Sequence, residues 1–318
     1  MQDFGRLGGF CFVCPRKDLT RPGKERLQAG PNGTDYIDMK EVRYSIVNLV
    51  RVAQSFPATP RIMAELGQLL RDPNAALKDV AVHLKHDSAL AARLLRIANS
   101  AAFAQSEPVA SIEDAAALIG FQDVHRLIGA VAVDHFSLRN YPLYGFTGPR
   151  LRENAILVAL LMEELAQPAH EDPPAAYSAG LFRSIGKLAL AKLVDEGTPV
   201  APFQPSDISG LVGWEKHTFG LTSNQATAAI LKQWHFPAEV TQAIEEHYDP
   251  AAHQHPLAGL LNLAARLAEQ LGHGLPGESP YWLDPTGFAR TCGIGPRHIE
   301  RATERALIAF DRINRAIG

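Results

Sequence analysis

The chain of 318 residues is 46% hydrophobic and 20% charged, which fits a globular protein and excludes a disordered or collagen-like one. Its net charge of -3 supplies no global positive field toward nucleic acid or an anionic membrane. Its three cysteines, Cys11, Cys14 and Cys292, make no disulfide framework, and no apolar run approaches the ~18 residues of a spanning helix.

Residues 1–37 are rich in Gly, Pro, Arg and Lys and lack periodicity, so a mobile tail is expected there. The run Gly8-Gly9-Phe10-Cys11-Phe12-Val13 is a weak signal-peptide core with no small-residue cleavage site after it, and the expected location is the cytoplasm. Helical order is expected from Asp38. Asp38 and Glu41 have capping-box spacing, and Val42, Ile46, Leu49, Val50 and Ala53 recur at helical intervals. Met39, at that boundary, is an alternative start. Thr59-Pro60 reads as an N-cap and a first-turn proline ahead of Ile62, Leu66, Leu69 and Leu70. Asp72-Pro73-Asn74 breaks the chain, and Leu77, Val80, Ala81 and Leu84 mark a short helix. Asp87 caps a helix with Leu90, Leu94, Leu95 and Ala98 inward, and the Asn99 amide is expected to satisfy backbone groups in the turn that ends it. Ser111 and Asp114 cap a helix through Leu118, and another runs from about Gln122 to Phe136.

A loop over 138–148 divides the chain into halves. Its Tyr141, Tyr144 and Phe146 are candidates for an exposed interface loop, or for a wedge between the halves. Pro149 opens a long helix through Leu165. Helices are expected near 174–183 and 187–195, then a Pro-rich loop, then helices near 207–217, 222–234, 238–248, 256–271 and 296–316. Thr222 and Gln225 form a second capping box. Period-two runs of β-branched and aromatic residues are missing. The predicted fold class is therefore all-α, with an N-terminal helical lobe over 38–137 packed on a second lobe over 148–272, and a helical extension over 273–318.

Isolated motifs carry little. Cys11-x-x-Cys14 supplies two zinc donors of the four required, and His253-x-His255 has no third donor nearby. His86-Asp87 is better read as a helix cap than as metal ligands.

Ordered segments carry more. Phe56-Pro57-Ala58-Thr59-Pro60 is similar to a Leu-Pro-x-Leu-Pro opening. Asp87-Ser88-Ala89-Leu90, continuing through Leu94-Leu95-Arg96-Ile97-Ala98-Asn99-Ser100, is similar to Asp-Pro-x-Leu…Leu-Leu-x-x-Ala-Asn-Ser. Ser111-Ile112-Glu113-Asp114-Ala115 and Leu118-Ile119-Gly120 follow in order. Gly180-Leu181-Phe182-Arg183-Ser184-Ile185-Gly186-Lys187 is similar to the Gly-Leu-Leu-His-Asp-Ile-Gly-Lys of HD hydrolases. Phe219-Gly220, Trp234…Pro237 and Ile244-Glu245-Glu246-His247-Tyr248 complete the set. Over about residues 45–270 the chain resembles the HDOD family, HD-related output domains of bacterial signalling proteins.

The resemblance implies a helical lobe packed on a degenerate HD lobe. HD hydrolases hold one or two divalent metals through His, His-Asp and a later Asp, and cleave phosphate esters. Here the His-Asp positions carry Arg183 and Ser184, the first His aligns with Glu153, the next falls at Ser223, and the later Asp falls at Ala265. A permanently charged guanidinium cannot ligate a cation. No catalytic residue, metal or cofactor is expected. The residual groove, lined by Glu153, Arg183, Ser184, Lys187, Ser223, His247 and Arg266, would take an anion or a partner's carboxylate. The bland alternative is that Arg183 pairs with Glu153 or a neighbouring acid and substitutes for the metal structurally.

The expected function is a non-catalytic signal-transduction module acting through protein–protein interaction, with a small anionic ligand as a candidate gate. Expected partners are signalling proteins in trans, cyclic-di-GMP-related enzymes among them, with no membrane. The alternatives are a residual HD-type metal-dependent phosphodiesterase and a cyclic-dinucleotide sensor without turnover. Nucleic-acid binding comes last, since no basic recognition helix is present.

Overall fold

A computed structural model describes residues 46–57, 59–71, 88–100, 109–197, 200–286, 288 and 292–317. The expected tail over 1–37, the helix start at Asp38, the short helix around Leu77–Leu84, the Asp87 cap, His86 and the Cys11/Cys14 pair lie outside the described residues.

The first half contains α1 (Ile46–Gln54), α2 (Thr59–Arg71), α3 (Ser88–Ala98), α4 (Ile112–Ile119) and α5 (Phe121–Asp134). The Ser111 hydroxyl accepts the Asp114 amide at the start of α4, and Gly120, at φ +88°, makes the tight joint between α4 and α5. Asn99 behaves as the sequence suggests. Its amide nitrogen donates to the Leu95 and Val109 carbonyls, and its oxygen accepts from Val109 N.

The second half contains α6 (Gly148–Ala166), α7 (Pro173–Phe182), α8 (Ile185–Glu196), α9 (Gly210–Phe219), α10 (Ser223–Gln233), α11 (Ala238–Glu246), α12 (Pro256–Gln270) and α13 (Pro296–Ile317). Thr147 caps α6, Asp172 caps α7, and Thr222 with Gln225 forms the full capping box of α10. The protein is all-α; the described residues contain one isolated backbone bridge, Tyr141 with Phe146, and no strand.

Helix α6 is the hub. It is buried on nearly every face, with α5, α7, α12 and α13 packed around it. Its approach to α7 requires Gly180, where a Cβ would lie 2.7 Å from the Ala159 Cα. Helix α2 crosses α5 and α7, and α10 packs on α8 and α11. Helix α1 lies on α8 and α10, burying Leu49, Val52 and Ala53 there. The first helix thus packs across the boundary drawn at the 138–148 loop, because an apolar face settles on whichever neighbours it reaches in space.

Of the two readings of that loop, the exposed one is excluded. Tyr141, Tyr144 and Phe146 are buried and are not exposed interface anchors. Tyr144 packs edge-on against Trp214 of α9, with ring centroids 5.6 Å apart. The Tyr141 hydroxyl donates to the Phe136 carbonyl, and Phe203 N donates to the Leu143 carbonyl. Burial of this much aromatic surface exceeds anything a polar loop gains from hydration. No single described helix is long and apolar enough to cross a membrane.

Candidate functional site

Arg183 caps the C-terminus of α7, Ser184 precedes α8, and Lys187 sits in the first turn of α8. This turn is held against the start of α10. Gly186 N donates to the Thr227 hydroxyl at 2.9 Å, and a Cβ on Gly186 would fall 2.0 Å from the Ser223 carbonyl oxygen. His247 caps α11, followed by Tyr248.

Between the two cations lies a carboxylate that the sequence reading did not single out. Glu278 comes from the segment after α12, and Arg183 grips it bidentately, Nη1 to Oε1 at 3.0 Å and Nη2 to Oε2 at 2.8 Å. Lys187 Nζ and the Tyr248 hydroxyl both donate to Oε1, the latter at 2.7 Å. Arg183 Nη2 also donates to the Asn154 oxygen at 2.7 Å, and the Asn154 amide nitrogen donates to the His273 carbonyl at 2.7 Å. Arg183 and Lys187 are 2% exposed and Glu278 is fully buried. Gly277, at φ +79° and with a Cβ position 2.4 Å from the Phe203 ring, permits the turn that delivers Glu278 inward.

The expected residues divide accordingly. Arg183, Ser184, Lys187, Ser223 and His247 are brought together and buried. Glu153 is elsewhere: its half-exposed carboxylate faces His273 Nδ1 at 3.2 Å, and the neighbouring Asn154 points to Arg183 instead. Arg266 donates to the Leu283 carbonyl at 2.6 Å and takes no part. The expected open groove is closed, because Glu278 fills the space between the cations. A second acid completes the cluster: Glu215 is buried and accepts Ser223 N at 2.8 Å.

Electrostatics follow from burial. Desolvation alone would raise the Glu278 carboxyl, but the charges of Arg183 and Lys187 outweigh it and hold the group well below the usual carboxylate range. Burial raises Glu215, with Lys187 opposing. Burial, seconded by the Arg183 charge, pushes His247 down to about 3. Its Nδ1 donates to the Ile244 carbonyl at 2.7 Å, so the ring is neutral with the lone pair on Nε2. Around the cluster, Arg183 Nε, the Ser184 hydroxyl and His247 Nε2 are buried without a hydrogen-bond partner.

These residues do not fit a divalent metal. Two fixed cations stand at the centre, and the nearest carboxylate is already saturated by them. Among the described residues, no three of His, Cys, Asp or Glu converge as a metal set. Of the other candidates, His255 lies 3.4 Å from Glu246, and the His253 side chain is outside the described residues.

Residues 56–250 match the family model of the HDOD domain. The chain belongs to the HDOD family. A solved HDOD domain protein of unknown function from Geobacter sulfurreducens has 22% identity and a TM-score of 0.54, over 83% of this chain and 90% of that one. A candidate signal transduction protein from Marinobacter aquaeolei VT8 has 26% identity and a TM-score of 0.60, over 81% of this chain and 58% of that one. A candidate phosphohydrolase from Shewanella amazonensis SB2B has 22% identity and a TM-score of 0.56, over 85% of this chain and 98% of that one. No curated protein matches the sequence. Glu278 lies beyond the stretch that matches the HDOD model, so the acid that completes the cluster comes from outside it. Its only sequence signal is an acid after Gly-Leu-Pro-Gly, at the start of the stretch expected to be a helical extension.

Proposed function

We propose that this HDOD protein is a non-catalytic, cytoplasmic signal-transduction module that acts by binding other signalling proteins. One observation carries the reading: the position of the His in the His-Asp pair of HD hydrolases carries Arg183, which is locked with Lys187 onto Glu278 in a closed, buried ion cluster. Hydrolysis of HD type needs a metal with an open position for water. Here the place of the metal is taken by side-chain cations whose countercharge is built in, and no substrate reaches them.

The same observation weighs against a cyclic-dinucleotide sensor at this cluster, and against a small anion entering from solvent as its gate. Both need exposed cations, and Arg183 and Lys187 offer almost no surface. What remains for an HDOD protein is recognition by its outer surface. Signalling proteins in trans, cyclic-di-GMP-related enzymes among them, are the proposed partner class on family grounds.

The test has two readings on one preparation. Purified protein incubated with Mn2+ is assayed against bis(p-nitrophenyl) phosphate and cyclic di-GMP, and a partner captured from the native cell is re-bound in purified form. The expected result is no turnover above buffer and saturable metal-free binding of the partner. Turnover that tracks stoichiometric Mn2+, with no reconstitutable partner, overturns the reading.

A further inference from the structure

We propose that Arg183 and Lys187 form an internal anion site in which Glu278 is the tethered ligand, and that a small free carboxylate occupies it once the Glu278 side chain is cut back. Three observations point there. The grip is that of a guanidinium on a ligand carboxylate: two bonds of 3.0 and 2.8 Å, one to each oxygen, with Lys187 and the Tyr248 hydroxyl added on one of them. The carboxylate is brought in by an irregular arm between α12 and α13 that turns at Gly272 and Gly277, both at positive φ, and so behaves as an inserted group, not as part of a packed helix. Arg183 also has a donor that Glu278 does not use: its Nε is buried with no hydrogen-bond partner, as is the hydroxyl of the adjoining Ser184. Two buried cations with donor capacity to spare suit an anion, and the chain supplies one in cis.

Chemistry selects the free ligand. Glu278→Ala deletes a methylene and a carboxylate, which are the heavy atoms of acetate. Acetate and formate fit the space left, and butyrate does not. The inference deepens the reading of this cluster as a substitute for the metal. It is tested on purified protein with no partner present, so its failure leaves the partner reading standing.

The experiment is a thermal-unfolding series of wild type, Glu278→Ala and Glu278→Ala/Lys187→Met in sodium acetate, formate or butyrate at matched ionic strength. Leaving two buried cations unpaired is expected to lower the Tm of Glu278→Ala by about 10 °C. Acetate and formate should restore at least half of that loss, saturably, while butyrate does not. Wild type should be indifferent to all three, and the double variant, which keeps the Arg183 fork but lacks one cation, should show a weaker acetate response than Glu278→Ala. If Glu278→Ala does not fold unaided, its refolding yield in acetate against butyrate gives the same reading. Equal effects of acetate and butyrate, or an acetate response as large in wild type, would overturn the proposal.

Discussion

Arg183, Lys187 and Glu278 show how a buried ion cluster is used here. Removing three charges from water is expensive, and an ion pair in a protein interior does little more than offset that loss. Its worth lies in specificity, because any rearrangement that separates the partners strands a charge at a cost of about 3–5 kcal/mol. The cluster thereby fixes the register of α7, α8 and the arm carrying Glu278. Two buried histidines make a second point at this scale. His247 sits in the cluster, and His125 of α5 packs on Tyr177 with centroids 5.2 Å apart; burial, with Arg183 and Arg126 respectively as the next cause, pushes each down to about 3. In the unfolded chain both take up a proton near their ordinary value of about 6.5. Between those values the unfolded state binds more protons, so stability rises with pH there. It is fully present above ~6.5 and is lost as pH falls toward 3, by up to about 1.4 kcal/mol per pH unit for each ring. The lowered Glu278 adds a loss of the same sign only below the unfolded carboxylate value of ~4.3. The raised Glu215 and Glu163 act in the opposite sense above that value, so the histidine share is read as a difference: in urea denaturation at pH 7.0, 6.0 and 5.0, stability is expected to fall more steeply with acid in wild type than in His247→Gln. Equal slopes in the two proteins would show that His247 accepts a proton in the folded state.

Among the elements, most of the helices were legible because local physics writes their ends. Thr59-Pro60, Ser111 with Asp114, and Thr222 with Gln225 all mark starts that the structure confirms. Neighbours were not legible. Helix α1 carries an ordinary apolar stripe, and nothing in that stripe says it will lie on α8 and α10 instead of on the helices next to it in sequence. Sequence could not choose between the two readings of the aromatic loop for a related reason. Gly145 and Pro142 announce a turn, but whether its rings face solvent depends on Trp214 and Phe203, more than 55 residues away. Two helical glycines separate local from tertiary control. At Gly67 in α2 an added methyl would meet nothing closer than 4.0 Å, so Gly67→Ala should stabilise by up to ~1 kcal/mol through helix propensity alone. Gly180 in α7 has the same local preference, yet its methyl would press on the Ala159 backbone of α6 at 2.7 Å. Gly180→Ala should destabilise by about 1–3 kcal/mol, because helix separation must grow along the hub. Opposite signs in denaturant midpoints would bear this out, and two stabilising substitutions would show that the α6–α7 contact is not as close as described.

For the whole molecule, family membership was readable because it rests on ordered, mostly local segments, and Arg183 and Ser184 at the His-Asp positions already argued against a metal. The structure of what replaced the metal was not readable. Glu278 is 95 residues from Arg183 in sequence and sits outside the family match, while Glu153, offered as a partner for Arg183, faces His273, and the next residue, Asn154, reaches Arg183 instead. One helical residue is a rotation of about 100°, enough to exchange a cluster ligand for a surface group. The same residues bear on the proposed function: a sealed cluster leaves no position for a metal-bound water, and under that proposal recognition falls to the outer surface. Titration of the purified protein with Mn2+, followed by the six-line electron paramagnetic resonance signal of the hydrated ion, tests that claim most directly. The account predicts a signal that grows in proportion to added metal from the first aliquot, as in buffer. Silence of the signal until one equivalent has been added would mean that the chain holds a metal after all, and would contradict it.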